Sequence, residues 1–165
     1  MKKIIVILTL AFGVCLFLSS CSGKMSGEQY VSEKLDIKIP KTESLEQSGE
    51  QSGFHGDGEY TVKMKFNAQE SQELSNEIRN SERWKELPLE TVLQQLMYSG
   101  TESNTYAYHF AEKAGIPEVE EGYYCFFDRN SVETDTNILF RSSFNFTFAV
   151  YDLKQGMLYY YELDT

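Results

Sequence analysis

FNFTFAVYDLKQGMLYYYEL, residues 144–163, carries the plainest strand pattern of the chain. Phe144, Phe146, Phe148 and Val150 alternate with Asn145, Thr147 and Ala149, and Met157 to Leu163 runs back after a turn around Lys154-Gln155-Gly156. A period of two residues sends successive side chains to opposite faces, so the spacing predicts two antiparallel strands joined by a hairpin. Upstream, Tyr123 to Asp128 is apolar on both faces and predicts a central strand. Twelve of the 23 aromatic residues lie between positions 123 and 161. That density fits either a sheet core with cross-strand ladders or an exposed aromatic face that stacks on carbohydrate or peptide.

Two more strands are predicted nearer the amino terminus. Tyr60, Val62, Met64 and Phe66 alternate with Thr61, Lys63 and Lys65, a strand with one face in water. Leu35, Ile37 and Ile39 alternate up to Pro40, which predicts a short edge strand. Asn67 followed by Glu70 has the capping-box spacing, and Leu74 with Ile78 gives a narrow apolar stripe on a helix to about Arg79, sealed by Trp84. Pro88 opens a second helix, with Leu89, Val92, Leu93 and Leu96 on one face, up to Gly100. Residues 101–121, interrupted by Gly115 and Pro117, read as an irregular connection. The sum is an α+β domain in which two helices pack on one side of an antiparallel sheet of about five strands.

The chain starts with MKKIIVILTLAFGVCLFLSSC. Lys2 and Lys3 precede an uncharged run from Ile4 to Leu18, too short for the roughly 20 residues of a bilayer-spanning helix and followed by Ser19 and Ser20. This is the layout of a secretory signal over residues 1–20. Leu18-Ser19-Ser20-Cys21 resembles the lipobox of bacterial lipoproteins, which implies lipidation of Cys21 and cleavage just before it. Two acyl chains anchor a protein stably where one does not, so a diacylated Cys21 would hold the chain at a membrane without a protein span. Residues 21–29, with SGKMSGEQ after the cysteine, read as a polar tether, and 30–165 as a single domain. The run KTESLEQSGEQSG, 41–53, echoes E-Q-S-G twice and predicts a mobile loop.

The 165 residues carry 15 Lys and Arg against 25 Asp and Glu; loss of Lys2 and Lys3 with the signal leaves a net charge of −12. That argues against nucleic acid or anionic lipid as a direct partner, because both are bound through basic patches. Of three cysteines, Cys15 lies in the signal and Cys21 is the lipidation candidate, so Cys125 has no partner for an intrachain disulfide. Flanked by Tyr123, Tyr124, Phe126 and Phe127, it reads as a buried small hydrophobe rather than a reactive thiolate.

GFHGDG, 53–58, is the stretch most like chemistry. His55 and Asp57 fit a metal site or a base with its orienting carboxylate, and equally a glycine-rich turn before a strand. A metal needs further ligands, and His109, Asp128, Glu133 and Asp135 are the available ones. The binding residues proposed from sequence are His55, Asp57, Asp128 and Arg129, with Arg129 suited to a carboxylate or phosphate. No G-x-S-x-G elbow, no phosphate-binding G-x-x-x-x-G-K-S/T loop and no catalytic or metal set is assigned, and no cofactor is expected.

GFHGDG together with W-K-x-L-P-L (84–89), G-Y-Y-x-F-x-D-R (122–129), F-N-F-T-x-A-x-Y-D (144–152) and Y-Y-Y-E-L-D-T (159–165) resembles a family of small uncharacterised proteins of Gram-positive bacteria. The resemblance implies a single compact domain over roughly residues 35–165 and brings no catalytic residue with it. The expected role is therefore a membrane-anchored lipoprotein facing outside the cytoplasm. It binds a ligand or an envelope or secreted protein. The alternatives are a metal-dependent or acid/base hydrolase centred on His55 and Asp57, and a surface inhibitor or immunity-type protein with a cationic partner.

Overall fold

The protein is described by a computed structural model over residues 25–51, 57–98, 108–131 and 137–165. In chain order these form α1 (Gly27–Leu35), β1 (Ser44–Gly49), β2 (Gly58–Lys65), α2 (Ala68–Arg79), β3 (Lys85–Glu86), α3 (Thr91–Tyr98), α4 (Phe110–Lys113), β4 (Gly122–Asp128), a 3-10 turn at Ile138–Phe140, β5 (Asn145–Asp152) and β6 (Met157–Asp164). The strands make one sheet in the order β1-β2-β6-β5-β4-β3, every neighbouring pair antiparallel.

The α+β class and antiparallel sheet are those the alternation predicts. The hairpin of 144–163 lies at the centre, with Phe148 opposite Tyr161 and Val150 opposite Tyr159. Its turn closes on Gly156, in the left-handed region at φ 59°, where a Cβ would stand 2.5 Å from Ser71 Oγ. The sheet has six strands, and helices cover both its faces. Ala149, Tyr151, Leu158, Tyr160, Val62 and Met64 meet α1 and α2. Phe146, Phe148, Val150, Tyr159, Tyr161 and Leu163 meet α3, α4 and the 3-10 turn. That second layer explains why β5 and β6 are buried on both faces, where one-sided antiparallel strands would leave alternate residues in water. It also decides between the two readings of the aromatic residues. Tyr123, Tyr124, Phe146, Phe148, Tyr151, Tyr159, Tyr160 and Tyr161 are buried and form the core.

The capping signal at Asn67 is realised: its side chain accepts from the backbone N–H groups of Gln69 and Glu70 at 2.9 and 3.1 Å. Leu74 and Ile78 then bury the stripe of α2, and Trp84 joins the same core. Asn67→Ala removes an acceptor from two otherwise unserved donors and is expected to cost about 1 kcal/mol. Urea denaturation beside the parent chain measures it; an unchanged midpoint would show that water serves those amides equally well.

Four local expectations are corrected. Leu35 to Ile39 is not a strand: Leu35 ends α1, and Asp36 caps it in the left-handed region at φ 54°. The tether loses its last residues to the same helix, which starts at Gly27 on the Ser26 side chain. Within 41–53, residues Ser44–Gly49 form β1 instead of a loop, because the backbone of β2 pairs with them from Ser44–Lys65 to Gly49–Tyr60. Pro88 lies ahead of α3, whose first bond runs from the Gln94 N–H to the Glu90 carbonyl at 2.9 Å.

Candidate functional site

Arg129 follows directly on β4, and its backbone N–H donates to the Asn145 carbonyl at 2.6 Å. From there its side chain crosses the end of β5 to β6. Nη2 donates to the carbonyls of Phe146 and Leu163 at 3.1 and 3.3 Å and lies 3.1 Å from Glu162 Oε1, while Nη1 lies 2.9 Å from Asp164 Oδ1. The planar fork of arginine suits such a set, since it presents several donors in fixed directions. The carboxylates that Arg129 meets are thus the chain's own.

Glu162 is the centre of this arrangement. It sits on β6 opposite Tyr60 of β2 and Thr147 of β5, on the face covered by α1. Only 1 % of its side chain is exposed. Oε2 accepts from the hydroxyls of Tyr30 at 2.6 Å and Tyr160 at 2.8 Å, and Oε1 faces Lys34 Nζ at 3.3 Å and Arg129 Nη2 at 3.1 Å. Burial by itself pushes the carboxyl up. The two tyrosine hydrogen bonds and the Arg129 and Lys34 charges outweigh it and hold Glu162 below its ordinary value. Tyr30, Tyr60 and Tyr160 also meet edge to face, with centroids 5.3 to 6.3 Å apart. A carboxylate has about four lone-pair directions, and four donors converge on this one. Chemically the arrangement is a closed clasp between α1 and the middle of the sheet. It offers no open coordination or proton-transfer position.

The other sequence-predicted residues are spread apart. Asp128 pairs with Arg141 at 2.5 Å and accepts from the Asn130 N–H at 3.1 Å. Asp57 is exposed just ahead of β2, at the same end of the sheet as Asp128 and Arg129. Three strand spacings separate β2 from β4, on the order of 14 Å. The structure therefore does not bring Asp57 and Asp128 together. Cys21, His55, Glu133 and Asp135 lie outside the described residues. His109 makes an exposed pair with Glu112, Nδ1 to Oε2 at 2.8 Å. Cys125 is buried, and burial pushes its thiol up to about 12, so it carries no thiolate at neutral pH. Among the described residues no group of three or more His, Cys, Asp or Glu is placed to hold a metal ion.

Where the clasp is closed, a groove on the other side of the molecule is open. It has a volume of about 490 Å³ and lies between α3, the 87–89 segment that leads to it and residues 118–120. Leu87, Pro88, Leu89, Tyr98, Val119 and Val150 supply its apolar wall and floor, and Gln94, Glu118 and Glu120 its polar rim. Sequence alone does not reveal it, because its walls come from three separate connections that are unremarkable singly. Comparison with family models, curated proteins and solved structures gave no match for this chain.

Proposed function

We propose that the chain is exported, cut before Cys21 and anchored through lipid on that cysteine at a membrane, facing outside the cytoplasm. There its domain works by binding a protein rather than by catalysis. The observation that carries the reading is Leu18-Ser19-Ser20-Cys21, in register behind two lysines and an uncharged apolar run. Only Ser22, Gly23 and Lys24 separate Cys21 from Met25, and a fully extended stretch of that length spans about 14 Å at most, which keeps the domain beside its anchor. Binding is favoured over catalysis because, in the most elaborate polar cluster of the described residues, the Glu162 carboxylate takes its donors from the chain's own Tyr30, Tyr160, Lys34 and Arg129. The groove between α3 and residues 118–120, by contrast, is open to solvent.

Cell fractionation of Cys21→Ala tests the anchor. The variant is expected to leave the detergent-extractable membrane fraction and to collect as precursor or soluble protein. Partitioning identical to the parent would overturn the lipid anchor.

A further inference from the structure

The groove stands at the opposite edge of the sheet from the point where the chain enters the domain. Met25 is held beside the β1–β2 hairpin by Gln51, whose Nε2 donates to its carbonyl at 3.2 Å, and Gly27 lies against Leu45 and Gln47 of β1. Leu87 follows β3, at the far edge. Five strand spacings, about 24 Å, lie between β1 and β3. An anchor that emerges near β1 therefore leaves the groove uncovered.

Acidic groups outnumber basic ones at the groove. Glu118 and Glu120 line it, Glu90 and Glu121 adjoin lining residues in the chain, and Lys85 and Lys154 are the cations paired with them. Lys85 is engaged with Glu90 at 2.6 Å, and Lys154 with Glu120 at 3.0 Å and Glu121 at 4.0 Å. These ion pairs are exposed, and exposed pairs contribute little, so an incoming cation takes over Glu120 at small cost. The groove's neutral polar side chains are already engaged. The Tyr98 hydroxyl is committed to the Pro117 carbonyl at 3.0 Å and Gln94 to Glu118 at 2.5 Å, which leaves aliphatic surface. A second copy of this chain is a poor occupant, because the net charge of −12 left once Lys2 and Lys3 are removed repels its like.

We propose that the groove takes a short cationic segment of a partner protein, an aliphatic side chain on Leu87, Leu89 and Val119 and flanking lysine or arginine side chains against Glu118 and Glu120. The inference rests on the binding role given above and names its surface and partner chemistry. Complementary rim charge speeds and orients encounter, and the apolar floor supplies the contact that outlasts it.

The test uses the full chain in detergent micelles and two fluorescein-labelled pentapeptides, Lys-Leu-Lys-Leu-Lys and Glu-Leu-Glu-Leu-Glu, followed by anisotropy. The lysine peptide is expected to bind saturably, and about tenfold more weakly when salt is raised from about 0.05 to about 0.5 M. The double variant Glu118→Lys/Glu120→Lys should weaken it about tenfold or more, while Glu70→Lys/Glu73→Lys on α2 makes the same change of net charge and should have little effect. Absence of saturable binding, equal binding of the glutamate peptide, or equal effects of the two double variants would overturn the proposal. A groove that fails this assay while Cys21→Ala still releases the protein leaves the anchor standing. Peptide binding combined with unchanged Cys21→Ala partitioning separates the two in the other direction.

Discussion

Glu162→Ala is expected to destabilise the domain by about 3–5 kcal/mol, the usual cost of removing one member of a buried ionic group. The size follows from what stays behind. The hydroxyls of Tyr30 and Tyr160 lose their acceptor, Lys34 loses the carboxylate it faces, and Arg129 keeps only one carboxylate, Asp164. Domains of this size are held by only about 5–15 kcal/mol, so such a loss is visible at once in a urea or thermal melt. Glu162→Gln keeps volume and one acceptor oxygen and should cost less. It should also change the pH dependence in a defined direction. Since the folded carboxyl is held below its ordinary value of 4.5, its contribution is fully present above that pH and disappears as pH falls through the folded value. The parent should therefore lose stability below about pH 4.5 more steeply than Glu162→Gln. Parallel acid limbs for the two proteins, or a cost for Glu162→Ala below about 1 kcal/mol, would mean that the clasp is not what holds α1.

Leu96→Ala is the second large effect, expected at about 2–5 kcal/mol. Leu96 is fully buried on α3, among the residues that cover the second face of the sheet. Val92, one turn earlier, is 37 % exposed, and Val92→Ala should cost well under 1 kcal/mol by the same bookkeeping of buried surface. The contrast is the useful measurement. If the two substitutions shift a denaturation midpoint equally, α3 is not seated on Phe148 and Val150 in the way described. Because Leu74 lies in the core on the other face, Leu74→Ala and Leu96→Ala together should add to within about 0.5 kcal/mol.

How much of this was legible in the chain varies by element, for physical reasons. The hairpin of 144–163 and strand β2 announce themselves because their alternation is strict, and α2 because its cap and its stripe agree. The helix α1 is hidden. It buries only Gly27, Tyr30, Val31 and Leu35, and Leu35 aligns by chance with Ile37 and Ile39 into a strand-like pattern. What holds it is Tyr30 and Lys34 on Glu162, contacts 132 and 128 residues apart that no local window contains. Strand β1 is hidden for the opposite reason. As an edge strand it buries little, so its residues carry almost no apolar signal and the pairing backbone of β2 imposes its conformation. Arg129 was legible as a carboxylate binder from residue chemistry alone. Glu162 was not, since a glutamate between Tyr161 and Leu163 looks like the wet face of a strand until α1 is known to cover that face.

The clasp also has a mechanical meaning. Tension applied to the chain ahead of Met25 first meets one neutral bond from Gln51 and the packing of the Met25 side chain on the core. Behind these stands the grip of Tyr30 and Lys34 on β6, a strand flanked by partners on both sides. A pull on that end therefore passes by way of α1 into the interior of the sheet and bypasses the weakly held β1, so the domain resists being unravelled from its amino-terminal side.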